Sequence, residues 1–207
     1  MLYWLSEYEA FNLFRYITVR AGGAFMTALF FGFIFGQPLI NVLRRKQGKG
    51  QPIREDGPEG HFAKAGTPTM GGLLIVGALL TSTLLWVRWD NPFIWIILFV
   101  TISFAAIGFA DDYAKVSKQT TAGVSGKVRL LLGFLIAGIA AYFAAAAHPE
   151  ALQNQLALPV FKDVLINLGV LYIPFSIIVI VGAANAVNLT DGLDGLAIMP
   201  VMIAAGT

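Results

Sequence analysis

The 207 residues are 57% hydrophobic and 13% charged, where a soluble domain carries about 25% charged residues; with a mean hydropathy of +0.73, an ordinary soluble fold is excluded. A net charge of +2 offers no basic field for nucleic acid. The absence of cysteine excludes disulfides and thiolate metal sites.

The N-terminal stretch MLYWLSEYEAFNLFRYITVR carries Glu7 and Glu9 where a secretory signal would be basic, and no small-residue cleavage site follows. It reads as an interfacial lead-in, with Tyr3, Trp4, Tyr8 and Tyr16 suited to the headgroup zone. A bilayer span needs about 20 mostly apolar residues. Five runs qualify in chain order, at 22–43, 70–87, 92–110, 128–147 and 165–187. A sixth apolar segment, 196–207, is too short to span and reads as the start of a helix in a chain truncated at its C-terminal end. The expectation is an all-α, polytopic membrane helix bundle: about five full transmembrane helices plus the start of a sixth, forming one integral membrane domain over 1–207.

Basic residues between the runs set an orientation. Arg44, Arg45, Lys46, Lys49, Arg54 and Lys64 follow the first run, and Lys115, Lys118, Lys127 and Arg129 follow the third. The opposite side has Arg15, Arg20, Arg88 and Lys162. This positive-inside bias puts the loops after runs one, three and five in the cytoplasm. The polar stretches HFAKAGTPTMGG, ADDYAK and NLTDGLDG then share one face.

Each stretch has a chemical reading and a plain one. Asp111 and Asp112 suit Mg2+, which is usually held by one or two carboxylates together with substrate phosphates. Equally, they are solvated charges stopping a helix, because adjacent helical residues point about 100° apart and cannot face one atom unless the helix ends there. Asp191 and Asp194 are three residues apart and share one face if the segment from Gly192 onward is helical; Asn185 and Asn188 show the same spacing upstream. Their amides and carboxylates can read a nucleobase or ribose. The plain reading is helix punctuation, with Thr190 or Asp191 as N-cap and Gly192 as turn former, but that accounts for one acid and not for two acids and two amides. In KAGTPTMGG, Thr67 reads as an N-cap and Pro68 as the first helical residue. With Lys64 beside it, that helix start could bind an anion; capping alone also explains Thr-Pro. Lys115, Lys127 and Arg129 suit phosphates or lipid headgroups, although topology alone accounts for any one of them. His61 and His148 are lone histidines without ligand spacing; His148 reads as structural.

HFAKAGTPTMGG, GFADDYAK and NAVNLTDGLDGLAIMP closely resemble the phospho-N-acetylmuramoyl-pentapeptide transferase family, bacterial enzymes that make lipid I. The resemblance covers essentially the whole chain, and GTPTMGG and NLTDGLDGLA favour this family over relatives acting on other UDP-amino sugars. It implies transfer of phospho-MurNAc-pentapeptide from UDP-MurNAc-pentapeptide to undecaprenyl phosphate, with Mg2+ as cofactor and UMP as the leaving product, in peptidoglycan synthesis. It implies a multi-pass protein of the bacterial inner membrane whose active site faces the cytoplasm; dimerisation is a family expectation. By resemblance, Asp111 and Asp112 are catalytic acids and metal ligands. Asn188 and Asp191 belong to the nucleoside-side pocket, with Gly192, Leu193 and Asp194 near the uracil, while Lys64, Thr69 and Lys127 line the cleft. The family pattern continues for several more transmembrane helices, carrying a further Asp, a His-rich loop and an aromatic partner for uracil.

The alternatives are a related transferase using another UDP-N-acetylhexosamine, or an inactive fragment of the enzyme. A transporter or channel subunit would want its acids at mid-span, whereas these cluster at helix ends.

Overall fold

The computed structural model describes residues 2–48, 68–158, 161, 164–190 and 196–206. The expected site residues Lys64, Asp191, Gly192, Leu193 and Asp194 lie outside the described residues, as do His61 and Thr67. The chain divides into two compact units, Met1–Arg129 and Leu130–Thr207.

The first unit opens with two 3-10 turns, Leu2–Glu7 and Glu9–Arg15. Helix α1, Ile17–Gln47, follows. It outruns the predicted span at both ends, and Pro38 lies within it without ending it. Its last turn carries Arg44, Arg45 and Lys46, where cations complement the negative end of the helix dipole. Helix α2, Gly72–Trp86, has 15 residues. That is shorter than the predicted run of 70–87 and, at 1.5 Å per residue, about 22 Å long. Pro68 is not its first residue: Pro68, Thr69 and Met70 are non-helical, and Met70 adopts φ 71°. A left-handed φ on a side chain with a Cβ is costly and breaks the helical path just where the apolar run begins.

Helices α1 and α2 run antiparallel in close contact. Near one end, Trp86 covers Gly23, where a Cβ would meet the indole ring. Its Nε1 donates to Thr27 Oγ1 at 2.9 Å, and Phe14 meets its ring edge-on at 5.5 Å. The Tyr3 ring lies against the guanidinium groups of Arg20 and Arg88, at 5.1 and 4.9 Å. Tyr3 and Phe14 thus dock the lead-in, while Trp4, Tyr8, Phe11 and Tyr16 stay exposed. In the turn to α3, the Arg88 guanidinium forks onto Asp90 at 3.2 and 2.5 Å and holds that carboxyl below the ordinary carboxylate range.

Helix α3, Pro92–Lys118, starts cleanly. Asn91 accepts from the Phe93 N–H at 3.0 Å and Pro92 takes the first helical position, where its missing N–H costs nothing. It does not stop at Ala110. It continues through both acids to Lys118 and closes on Gln119 in the left-handed conformation, a common helix terminator.

Helix α4, Gly126–Ala147, matches the fourth predicted span and crosses the boundary between the units. Its buried residues are Gly133, Ala137, Ala140, Ala141 and Ala145, small side chains that permit the close approach by which membrane helices pack. The His148 Nδ1 lies 2.7 Å from the Ala144 carbonyl. In the second unit, β1 (Gln155–Ala157) pairs antiparallel with β2 (Leu165–Asn167), Leu156 opposite Ile166. The fifth predicted span is corrected here: its first three residues are strand, and α5 occupies Tyr172–Thr190. Helix α6 covers Ile198–Gly206.

Four segments among the described residues are long and apolar enough to cross a membrane: Ile17–Gln47, Pro92–Lys118, Gly126–Ala147 and Gly169–Thr190. With α2 as a shorter apolar helix, the architecture is the expected all-α polytopic membrane bundle.

Candidate functional site

Counted from Pro92 at 1.5 Å per residue, Asp111 lies roughly 29 Å along α3, where a hydrocarbon core of about 30 Å ends. By length alone, a span that entered the hydrocarbon at Pro92 would leave it near the acids, with the last turns of α3 beyond. Continuation of the helix is chemically reasonable. Asp followed four residues later by Lys is a favourable helical pair, and DDYAK supplies one.

Asp111 is buried, at 8% exposure. Its Oδ2 is 2.6 Å from Lys115 Nζ. Its Oδ1 accepts from the Val124 N–H at 2.7 Å and lies 4.0 Å from Arg129 Nη1. A buried carboxylate is tolerable only when paired and hydrogen-bonded, and here both oxygens are engaged. The loop between α3 and α4 folds over the carboxylate at Gly123, where a Cβ would stand 2.6 Å from Asp111 Cγ and 2.9 Å from Lys115 Cε. Only glycine admits this approach.

Asp112 is half-buried and faces the other way. Its Oδ2 accepts from Thr69 Oγ1 at 3.1 Å, and its Oδ1 is 3.9 Å from Lys115 Nζ. Thr69 is itself fixed by Gln47: its N–H donates to Gln47 Oε1 at 2.8 Å, and its carbonyl accepts from Gln47 Nε2 at 3.0 Å. The ends of α1 and α3 and the start of α2 thus meet at one polar cluster.

This geometry corrects the helix-stop reading of the two acids. The helix does not end, the carboxylates do diverge, and yet one positive atom, Lys115 Nζ, lies within 4 Å of both. Two adjacent carboxylates can share a cation on an intact helix when it sits one turn further on. Carboxylate oxygens are the donor type that Mg2+ takes, but here the position between the two acids is held by the Lys115 ammonium. No group of three or more candidate metal-ligating side chains occurs among the described residues.

The other expected residues fall as follows. Lys127 is exposed in the first turn of α4, and Asn188 is exposed near the end of α5. Thr190 is not an N-cap: it is the last residue of α5, and its hydroxyl donates to the Val187 carbonyl at 2.8 Å. Asn185 donates to the Val181 carbonyl of its own helix at 2.8 Å. The structure brings Thr69, Asp111 and Asp112 together with Lys115 and Arg129, which the sequence offered as phosphate or headgroup contacts, and adds Gly123 and Gln47. For Lys115 the four-residue spacing from Asp111 was a visible signal. Gln47, closing a basic stretch, gave none.

The comparisons with known proteins bear on the family of the chain. A family profile described as glycosyl transferase family 4 matches residues 94–207, and a phospho-N-acetylmuramoyl-pentapeptide-transferase signature matches residues 64–76. The chain is similar to proteins named phospho-N-acetylmuramoyl-pentapeptide-transferase from Ruegeria pomeroyi and a second Ruegeria strain, TM1040, each 78% identical over 211 residues. It is 70% identical over 212 residues to that of Dinoroseobacter shibae. In each case the match covers 100% of this chain and 59% of the relative. The chain thus spans 59% of the length of these curated relatives.

Proposed function

The chain belongs to glycosyl transferase family 4, and on that premise we propose that it serves the transfer of phospho-MurNAc-pentapeptide from UDP-MurNAc-pentapeptide to undecaprenyl phosphate, releasing UMP and giving lipid I for peptidoglycan synthesis. The observation that carries the reading is the pair Asp111 and Asp112 around Lys115 Nζ in the C-terminal part of α3, within the reach of Thr69. That is where a lipid phosphate and a water-soluble pyrophosphate can meet.

The nucleophile is a phosphate monoester. Its second pKa is about 6, so at neutral pH much of it is already dianionic and a general base has little proton to remove. The obstacle is bringing a dianion to a pyrophosphate, and the chain's task is charge screening and alignment for in-line attack. Lys115 and Arg129 supply fixed positive charge beside the acids, and Lys64 and Lys127 are proposed to join them on substrate. Asp111 and Asp112 would hold Mg2+, which when bound polarises phosphoryl oxygens and neutralises developing charge. Asn188, Asp191, Gly192, Leu193 and Asp194 are proposed to read the nucleoside. The active face is proposed to be cytoplasmic, in a bacterial inner membrane.

The test is UMP release from membranes carrying the chain at the full length of its relatives, given UDP-MurNAc-pentapeptide, undecaprenyl phosphate and Mg2+. Release is expected, and Asp111→Asn and Asp112→Asn should each reduce it by at least about 100-fold, the scale of losing a fixed charge-stabilising group. Near-normal turnover in either variant would remove that residue from the mechanism. Release only with a different UDP-N-acetylhexosamine would reassign the donor.

A further inference from the structure

We propose that Gln47 is a positioning residue for Asp112, acting through Thr69; its part in turnover rests on the transferase reading above. Thr69 lies in the non-helical stretch between Pro68 and Met70, so no helix supplies partners for its backbone. Met70 at φ 71° turns the chain immediately after Thr69. Both backbone polar groups of Thr69 are instead met by one side chain. Gln47 accepts from its N–H at 2.8 Å and donates to its carbonyl at 3.0 Å, the paired pattern by which one strand residue binds another. Twenty-two residues separate the two, so this contact ties the C-terminal end of α1 to the entry of α2.

The consequence falls on the Thr69 hydroxyl. With the backbone of Thr69 fixed at two points, its side chain is held where Oγ1 donates to Asp112 Oδ2 at 3.1 Å. That bond fixes one oxygen of Asp112 and leaves Oδ1 on the Lys115 side. A glutamine suits the task because it is neutral and carries both donor and acceptor. A glutamate would keep the acceptor, lose the donor and place a second negative charge near Asp112.

The experiment is a double-mutant cycle in the chain at the full length of its relatives, reading UMP release and the KM for the UDP-sugar separately. Hydrogen exchange of the segment containing Thr69 is measured on the same variants. Gln47→Ala and Thr69→Val should each lower kcat by about tenfold, the worth of one hydrogen bond to a charged group, with KM changed less than about twofold. The double variant should be no slower than either single one, because both remove the same link. Exchange at the Thr69 segment should rise in Gln47→Ala. Should that variant fail to fold, Gln47→Glu has the same shape and should still lose about threefold or more in kcat through the missing donor. Wild-type kcat in Gln47→Ala or in Gln47→Glu would overturn the proposal. So would losses that multiply in the double variant, since a purely structural Gln47 would act independently of the Thr69 hydroxyl. An unmutated protein that releases no UMP would sink the transferase reading and the role in turnover with it, while unchanged exchange in Gln47→Ala would separately sink the clamp.

Discussion

A carboxylate shared among a lysine one helical turn away, a guanidinium and a backbone N–H is costly to disturb, because each of its bonds offsets the burial of its charge. Asp111 is in that position, and the loop over it depends on Gly123. Gly123→Ala places a methyl group against the carboxylate. Either the loop lifts and the Val124 bond breaks, or Asp111 rotates away from Lys115. Overpacking of this kind costs about 1–3 kcal/mol, and here the displaced atoms belong to the candidate site. The variant should keep its helical circular dichroism and lose at least about tenfold in UMP release, on the scale of one misplaced charge-stabilising contact. Full activity in Gly123→Ala would mean that the Asp111 geometry does not matter for turnover. Asp112 sits in a looser setting, held by one hydroxyl and a distant lysine, so Asp112→Asn should disturb stability less than Asp111→Asn even though both disable turnover. Thermal unfolding in detergent separates the two: the Asp111 variant should melt lower, since breaking a buried ion pair costs about 3–5 kcal/mol.

At the scale of elements, the α1–α2 pair is fixed at both ends. Gln47 and Thr69 join one end, while Gly23, Thr27 and Trp86 join the other. Gly23→Ala should push the indole off its seat and break its bond to Thr27, lowering thermal stability with a shift in tryptophan emission. An unchanged melting temperature would show that Trp86 moves without cost. The sequence revealed most of the spans because hydrophobic length is a strong signal, and α3, α4 and the body of α1 and α5 lie where the apolar runs put them. It did not reveal the boundaries. An apolar run has no inner period, so nothing in LIN distinguished strand at Leu165–Asn167 from helix. Asp111 and Asp112 looked like a stop because charge usually ends a span, whereas the Asp-to-Lys spacing favours continuation. Thr69 was legible through its motif. Gln47 was not, because its importance comes from a contact 22 residues away and its own neighbours are ordinary solvated cations.

For the whole molecule, function depends on which side of the membrane the Asp111–Asp112 end faces. The proposed donor is a charged nucleotide sugar, so the cluster must open to the compartment that holds it. Ten of the 14 basic residues lie in the loops after the first and third predicted spans or at the edges of those loops, which argues for the cytoplasm. The chain has no cysteine, so single introduced thiols report cleanly. Ser117 is exposed near the end of α3 and Glu150 is exposed after α4, and between them α4 runs 22 residues, about 33 Å at 1.5 Å per residue. Those two positions should therefore lie on opposite faces. With a membrane-impermeant maleimide, Ser117→Cys should label only in inside-out vesicles and Glu150→Cys only in right-side-out ones. The reverse pattern would put the acids on the outer face, away from any cytoplasmic nucleotide sugar, and would end the proposed reaction. Labelling of both from the same side would mean that α4 does not cross the bilayer, and the bundle would have to be rebuilt around a different set of spans.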